Sequence, residues 1–135
     1  MENIRLLQVC SRGSIDLQEY IKQHFPKLAS VSKMVQTSSE ALQLLPESGP
    51  IKILTSNWFH GKDIVGADGK SEDLMTGNTL AGILKSKNRE AKVYLYAEHI
   101  THIEDILDGA FQRDTKTGAI SETLNQYLRK WEDEL

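Results

Sequence analysis

Residues 51–57 read Ile-Lys-Ile-Leu-Thr-Ser-Asn and contain the most informative strand signal in the chain. A Gly-Pro pair ends the segment before it. The run 51–55 is short and mostly apolar, which predicts a strand that is buried on both faces in the centre of a sheet. The polar residues Ser56 and Asn57 directly follow this strand in the sequence. Open parallel sheets carry their functional sites at such strand ends, so we expect a functional site near Ser56 and Asn57.

Four further apolar runs flank this strand, and amphipathic segments alternate with all five runs. The predicted strands cover residues 4–10, 31–35, 51–55, 93–97 and 110–113. Apolar side chains three or four residues apart in the intervening segments predict helices. Their apolar stripes run from Leu17 to Phe25, from Ala41 to Leu45, from Thr79 to Leu84, from Ile103 to Leu107 and from Ile120 to Trp131.

Two prolines and an acidic run mark the predicted helix ends. Pro26 and Pro46 stop the first two apolar stripes. The carboxylates of Glu132, Asp133 and Glu134 follow the last stripe. Because negative charge at a helix C-terminus opposes the helix dipole, we expect the last turn to fray.

The alternation predicts an α/β fold of the (βα)5 type. This is the flavodoxin-like, doubly wound sandwich, in which right-handed crossovers place helices on both faces of a parallel five-stranded sheet of order 2-1-3-4-5. We expect one domain over residues 1–135, interrupted by an extended polar loop over residues 60–74. Aromatic Trp58 and Phe59 stand at the base of this loop, where they either anchor it on the core or offer an aromatic patch to a partner.

Composition excludes several classes of protein. The chain has 135 residues, of which 39% are hydrophobic and 26% are charged, as in one ordinary globular domain. Its 16 basic and 19 acidic residues give a net charge of -3, so nucleic acid is not an expected partner. No apolar run is long enough to span a membrane, and we expect no signal peptide. A single cysteine, Cys10, fits a reducing compartment, and we expect a cytoplasmic protein.

Three segments resemble response-regulator receiver domains, the CheY-like phospho-accepting domains of bacterial two-component signal transduction. Met75-Thr76-Gly77 followed by Leu80 is similar to the turn that opens the third receiver helix. Residues 91–97 resemble the fourth receiver strand in length and pattern. Residues 108–111, Asp-Gly-Ala-Phe, resemble the short fifth strand with its aromatic side chain.

The resemblance implies where the receiver site would lie. The two acidic residues that hold Mg²⁺ after the first strand correspond to Cys10 and Ser11. The phospho-accepting aspartate at the end of the third strand corresponds to Ser56 or Asn57, depending on a one-residue register. Three switch positions correspond to Ala97, Phe111 and Arg113. Phe111 is either the rotating aromatic of the receiver switch or a simple packing residue.

These residue types do not supply the receiver chemistry. Mg²⁺ prefers carboxylate oxygens, and neither an amide nor an unactivated hydroxyl replaces an aspartate nucleophile. The resemblance therefore implies a degenerate pseudo-receiver that is not phosphorylated at the usual position. We expect no enzyme, because no nucleophile–base pair is visible. We also expect no cofactor and no metal, because Gly69-Lys70-Ser71 lacks the first glycine of a P-loop and His99 and His102 lack a third ligand.

We expect a stand-alone signalling domain that acts through contact with another signalling protein. Receivers dimerise through the face formed by the fourth helix, fifth strand and fifth helix, which implies a homodimer here. The interface candidates are Trp58, Phe59, Tyr127 and Trp131. Two alternatives stay open. One is an atypical receiver phosphorylated on a carboxylate of the 60–74 loop, and the other is a small flavodoxin-like domain that binds a nucleotide or another ligand.

Overall fold

The structure is a computed structural model. It describes residues 4–9, 15–35, 38–55, 58–60, 74–97, 105–112 and 122–135. Strands and helices alternate along these segments. The strands are β1 (Leu6–Val9), β2 (Ser32–Val35), β3 (Ile51–Thr55), β4 (Trp58–His60), β5 (Leu74–Thr76), β6 (Ala91–Ala97) and β7 (Gly109–Gln112). The helices are α1 (Ile15–His24), α2 (Pro26–Ser30), α3 (Ser38–Leu44), α4 (Gly77–Lys87) and α5 (Glu122–Asp133).

Five of these strands form one parallel sheet in the order β2-β1-β3-β6-β7. Since β6 and β7 are the fourth and fifth strands of this sheet, the predicted order 2-1-3-4-5 and the CheY-like flavodoxin fold are confirmed. The central strand β3 has the bounds that its sequence predicts. It lies between β1 and β6, and Ile53, Leu54 and Thr55 are each no more than 2% exposed.

Helices cover both faces of this sheet, because successive strand side chains point to opposite sides. On one face Leu7, Ile53 and Val93 belong to a buried cluster that also contains residues of α3 and α4. On the other face Leu6 and Leu54 belong to a second cluster with residues of α1, α2 and α5. The predicted apolar stripes supply the helical side of both clusters.

The structure places both flanks of the predicted extended loop in strands. His60 and Leu74, the two ends of the predicted 60–74 loop, are register partners in an antiparallel pair formed by β4 and β5. This pair is a separate two-stranded sheet. Residues 61–73 lie outside the described part of the chain. The pairing of β4 with β5 is a contact between segments more than ten residues apart, which the polar composition of the loop does not predict.

The described part of the predicted fourth helix is not helical. Residues 105–108 form a turn that leads into β7. The Asp108 amide donates a hydrogen bond to the Val93 carbonyl at 2.8 Å, and the Asp108 carboxylate accepts one from the Val93 amide at 2.8 Å. These two bonds join the turn to the edge of β6. Leu107 is buried, while Ile106 is 38% exposed.

The predicted fraying of the last helix is wrong. Helix α5 continues to Asp133, and the Glu134 amide still donates to the Lys130 carbonyl. The acidic side chain of Glu132 has a tertiary partner, since it accepts hydrogen bonds from the Lys27 and Leu28 amides at 3.0 and 3.1 Å. These amides lie at the start of α2, which Pro26 opens instead of ending the helical region. A carboxylate is favourable at that helix end.

Replacing Glu132 with alanine is expected to lower the free energy of unfolding by about 1–2 kcal/mol, as loss of a helix N-cap does. Phe25, the residue before α2, supplies no capping side chain, so both amides lose their partner. Urea denaturation monitored by circular dichroism measures the change. Asp133→Asn is the matched control, because it removes a neighbouring exposed charge that makes no hydrogen bond in the described residues. Equal destabilisation by both variants would contradict the capping role.

Candidate functional site

The carboxyl ends of the five parallel strands form the rim at which the sequence predicts a site. The register aligns one residue of each strand in a single row across the sheet. The row consists of Val35, Val9, Thr55, Leu95 and Ala110. Thr55 lies at its centre and is 1% exposed. β6 and β7 continue beyond the row, where Ala97 is the register partner of Gln112.

The residues that would carry receiver chemistry come next in the chain. Val9 and Thr55 are register partners and the last residues of β1 and β3, so the segments that follow begin at Cys10 and Ser56. The predicted positions Cys10, Ser11, Ser56, Asn57 and Arg113 lie outside the described residues, as do His99 and His102. Their side chains by sequence are neutral or basic, with no carboxylate among them.

The other predicted residues are placed by the structure. Ala97 is the last residue of β6. Trp58 and Phe59 lie in β4, opposite Thr76 and Met75 of β5. Both aromatic residues thus belong to the small antiparallel sheet, which begins three residues after Thr55, the last residue of β3.

Four aromatic side chains form a cluster on the α5 side of the sheet, which we call the aromatic quartet. It consists of Tyr94, Phe111, Tyr127 and Trp131. All ring pairs within it have centroids between 5.1 and 6.5 Å apart. Phe111 follows Ala110 of the row, so the quartet begins at the rim of the sheet and continues to α5. It connects the predicted site to one helix surface.

Exposure differs sharply within the quartet. Trp131 is 4% exposed and Phe111 is 4% exposed, so both rings belong to the core. Tyr127 is 37% exposed and forms the outer edge. This corrects the view of Trp131 as an interface residue, since its ring is already covered by Tyr94, Phe111 and Tyr127. Burial raises the pKa of Tyr94 to about 12, and the negative charges of Asp108 and Glu134 add to the effect.

Asp108 is the charged centre of the turn before β7. Its carboxylate accepts a hydrogen bond from Lys85 of α4 at 2.8 Å and lies 3.9 Å from the ammonium of Lys92. Burial alone would raise the pKa of Asp108. The hydrogen bonds from Lys85 and the Val93 amide, together with the two positive charges, outweigh burial and lower the pKa below its ordinary value of 3.8. Asp108 therefore stays ionised and ties α4, β6 and β7 together.

The depressed pKa of Asp108 predicts a pH-dependent contribution to stability. The folded state holds the ionised form better than the unfolded state does, so this contribution is complete above the ordinary pKa of 3.8. It is lost as the pH falls through the lower folded pKa. Asp108→Asn is expected to lower the free energy of unfolding at neutral pH by about 1–2 kcal/mol, and the difference from the wild type should shrink toward pH 2. Urea midpoints between about pH 7 and pH 2 measure it. A difference that does not change with pH would contradict the ionic role.

Sequence reasoning did not find Asp108, Lys85 or Tyr94 as members of a site. Asp108 and Lys85 are far apart in sequence, and no local pattern pairs them. The apolar run that contains Tyr94, Leu95 and Tyr96 predicts the strand β6. It does not predict that the ring of Tyr94 packs in the aromatic quartet. Among the described residues, no group of three or more His, Cys, Asp or Glu side chains is placed to hold a metal ion. Nor does any described helix combine the length and apolarity needed to cross a membrane.

The sequence matches no protein-family model and, at a significant level, no curated protein. The structure does match solved receiver domains. It is similar to the signal receiver domain of an HD-domain-containing protein from Pseudomonas fluorescens, with a TM-score of 0.62 and 16% identity over 99% of this chain and 90% of that one. The response regulator TrrA of Thermotoga maritima, solved with Mg²⁺ and BeF, gives a TM-score of 0.62 and 15% identity over 95% of this chain and 98% of that one.

A CheY-like response regulator receiver domain from Methanospirillum hungatei is similar at a TM-score of 0.58 and 14% identity, covering 98% of both chains. At these identities the likeness shows the fold alone. The five-stranded fold of this chain is the CheY-like fold of response-regulator receiver domains.

Proposed function

We propose that this receiver fold serves as a cytoplasmic signalling domain that acts by protein contact, without aspartyl phosphorylation and without catalysis of its own. One observation carries the proposal. β1 and β3 end side by side at Val9 and Thr55, and the residues that follow them are Cys10, Ser11, Ser56 and Asn57. A receiver fold that lacks carboxylates in these segments has no ligand set for Mg²⁺ and no acyl-phosphate acceptor.

The aromatic quartet supports a contact surface on α5 and β7. Tyr127 offers exposed aromatic area, and the rings beneath it are packed against one another, so the surface is rigid. Exposed aromatic side chains supported by a packed core are enriched at protein interfaces. Among the similar structures, TrrA was solved in complex with the histidine kinase ThkA. We propose a signalling protein as partner here too, or a second copy of this chain bound through the same surface.

Beryllofluoride with Mg²⁺, a mimic of the phosphoryl group, tests the missing phosphorylation. We expect no change in the amide NMR spectrum of the wild type. The matched gain-of-function variants are Cys10→Glu/Ser11→Asp/Ser56→Asp and the same triple change with Asn57→Asp in place of Ser56→Asp. One of these two variants should show Mg²⁺-dependent shifts for residues around Val9 and Thr55.

Each outcome of this experiment discriminates between functions. Shifts in the wild type around the rim would overturn the proposal. Incorporation of phosphate from acetyl phosphate on Asp63, Asp68, Glu72 or Asp73, identified by mass spectrometry, would favour an atypical receiver. A response to a nucleotide alone would favour a ligand-binding domain. For the contact surface, Tyr127→Ala should weaken self-association in analytical ultracentrifugation or binding to an added histidine kinase, while Glu19→Gln on α1 should not.

A further inference from the structure

An open groove with a volume of about 420 Å³ follows the edge of the sheet that β2 forms. One wall is the flank of α1, which contributes Gln18 and Lys22, and the other wall includes the consecutive residues 29–34. β2 and β7 are the two edges of the five-stranded sheet, so this groove and the proposed contact surface on α5 and β7 lie at opposite edges. The inference drawn from the groove does not rest on the proposed function.

The outer edge of β2 is open to a further strand. β2 pairs with β1 from Ser32 opposite Leu6 to Val35 opposite Val9, and no other described strand pairs with it. An edge strand presents backbone N–H and C=O groups that can pair with another chain. Because a new strand would continue the pleat of the sheet, every second side chain of that strand would face the flank of α1 across the groove.

The charged side chains in the described lining of the groove are both positive. They are Lys22 and Lys33, and both residues are exposed. Lys22 lies 3.7 Å from Glu19, one turn earlier on α1, and both side chains are 56% exposed, so this ion pair is weak and a second carboxylate can compete for the lysine. The whole chain carries a net charge of -3, so the positive groove is a local feature. An acidic partner is complementary to it.

A buried set of hydrogen bonds orients one polar group of the groove wall. The Gln8 Nε2 donates to the Gln18 Oε1 at 2.5 Å, and the Ser32 hydroxyl donates to the same oxygen at 3.4 Å. Since these bonds hold the amide oxygen of Gln18 toward the sheet, the amide nitrogen on the other branch is directed away from Gln8. This Nε2 has no hydrogen-bond partner among the described residues. It therefore supplies N–H donors to an acceptor in the groove.

The position of Gln8 indicates that orienting Gln18 is its role. Gln8 is 1% exposed in β1, and its Oε1 has no hydrogen-bond partner among the described residues. A buried amide oxygen without a partner is destabilising, whereas an apolar side chain of the same shape is not. Gln8 is thus poorly suited to stabilise the core, and its bond to the Gln18 Oε1 makes it a positioning residue for the groove wall.

We propose that the groove binds an extended acidic peptide segment of a partner protein, which adds to the sheet as a strand beside β2. Main-chain hydrogen bonds to the edge of β2 hold the segment, as in other cases of strand addition. Carboxylates on the face toward α1 accept hydrogen bonds from the amide of Gln18 and the ammonium of Lys22. Because strand side chains alternate between faces, the preferred segment alternates acidic and apolar residues.

The probe is the blocked peptide acetyl-Thr-Glu-Val-Glu-Val-Glu-Thr-amide, which is titrated into the isotope-labelled 135-residue chain at low ionic strength. We expect saturable NMR shifts of the backbone amides of Ser32 and Met34 and of the side-chain amide of Gln18, with a dissociation constant below about 1 mM. Outward-facing amides of β2 should exchange with deuterium more slowly in the complex, since they become hydrogen-bonded. Signals of α5 serve as the reference, because that helix does not line the groove.

Three control probes separate charge from strand pairing. The same peptide with lysine in place of glutamate should bind at least about tenfold more weakly, which is the ratio given by about 1.4 kcal/mol. Proline in place of both valines removes backbone N–H groups and should weaken binding to a similar extent. N-acetylglutamate amide carries a single carboxylate without an extended chain, and we expect no saturable shift at the same concentration.

Variants of the chain test the two walls of the groove. Gln18→Ala should weaken binding of the acidic peptide about tenfold, and Lys22→Gln about two- to fivefold, as expected at an exposed charge. Gln8→Met places an apolar side chain of similar volume in the core, so the urea midpoint should stay the same or rise while peptide binding weakens about threefold. Lys130→Gln on α5 is the matched control, since it removes an exposed lysine outside the groove and should leave binding unchanged.

Several outcomes would overturn the proposal. They are the absence of saturable shifts at Ser32 and Met34 up to about 5 mM peptide, equal affinities for the glutamate and lysine peptides, or equal effects of Lys22→Gln and Lys130→Gln. Unweakened binding of the proline peptide, or equally tight binding of N-acetylglutamate amide, would show an anion site without strand addition. Gln8→Met with lower stability and unchanged binding would contradict the positioning role. Tyr127→Ala leaves this groove intact, so failure here and failure of the proposed contact surface are distinguishable.

Discussion

Replacing Phe111 with alanine is expected to lower the free energy of unfolding by about 3–5 kcal/mol, the range measured when large buried aromatic side chains are truncated. Phe111 is 4% exposed, and its ring contacts Tyr94, Tyr127 and Trp131 at centroid distances of 5.6, 5.1 and 6.5 Å. Truncation removes the apolar burial of the ring and leaves a cavity at the centre of the aromatic quartet. Guanidinium denaturation monitored by far-ultraviolet circular dichroism measures the loss.

Tyr127→Ala is the matched control within the quartet. Because Tyr127 is 37% exposed, its removal should cost only about 1–2 kcal/mol. The double variant should show a coupling free energy of about 0.5–1.5 kcal/mol, as measured for aromatic pairs in contact. Equal costs for the two single variants would contradict the assignment of Phe111 to the core. Strictly additive costs would show that the two rings do not interact.

The same pair of variants separates stability from function. Phe111 connects the rim of the sheet to α5, whereas Tyr127 is the exposed part of the proposed contact surface. Tyr127→Ala should therefore reduce partner binding by more than its loss of about 1–2 kcal/mol in fold stability explains, since the variant stays folded under the binding conditions. Phe111→Leu keeps an apolar side chain of similar volume, so it should retain most of the stability and most of the binding. Loss of binding in Phe111→Leu with an intact fold would assign Phe111 a direct role in the conformation of the surface.

Asn88→Ala is expected to lower the free energy of unfolding by about 2–3 kcal/mol, because it leaves backbone groups without their partners. Asn88 is 1% exposed. Its side-chain amide donates to the carbonyls of Pro46 and Gly49 at 2.9 and 3.1 Å, and its oxygen accepts from the Glu90 amide at 2.9 Å. These bonds fasten the segment before β3 to the turn before β6. Urea denaturation measures the change.

Asn88→Asp and Ser86→Ala are the controls. In Asn88→Asp the side chain can still accept a hydrogen bond from the Glu90 amide. At neutral pH, however, its carboxylate lies next to the carbonyl oxygens of Pro46 and Gly49 and repels them, so this variant should be destabilised at least as much as Asn88→Ala. Its effect should diminish as the pH falls, because a protonated carboxyl can donate. Within the part of the chain that the structure describes, the Ser86 hydroxyl donates to the Ile83 carbonyl of its own helix and is exposed, so Ser86→Ala should cost less than about 0.5 kcal/mol. An Asn88→Ala variant as stable as Ser86→Ala would contradict the role of the Asn88 side chain in joining these two segments.

Local periodicity was enough to predict the central sheet. The bounds of β3 and the order of the five parallel strands follow from short apolar runs that alternate with amphipathic helices. The buried positions Leu17, Ile21, Leu124 and Leu128 also lie on the predicted stripes. Period and composition are properties of neighbouring residues, so a single sequence contains them in full.

The predictions from local sequence pattern were wrong where contacts between residues far apart in the chain determine the local structure. The acidic end of α5 was expected to fray, but Glu132 caps α2, whose amides lie more than 100 residues earlier in the chain. The turn at 105–108 replaces helix because Asp108 binds Val93 on the neighbouring strand. β4 pairs with β5, which lies more than ten residues later in the chain. In each case the deciding partner is separated in sequence from the residue that it stabilises.

The alternation of strands and helices can be predicted from consecutive residues, and so can the lack of carboxylates at Cys10, Ser11, Ser56 and Asn57. Which side chains contact one another depends on the folded chain. Elements that are far apart in the chain are joined by the aromatic quartet, by the ion pairs of Asp108 and by the hydrogen bonds of Asn88. Such contacts depend on strand order, register and helix packing, which bring together residues whose spacing in sequence contains no sign of their proximity.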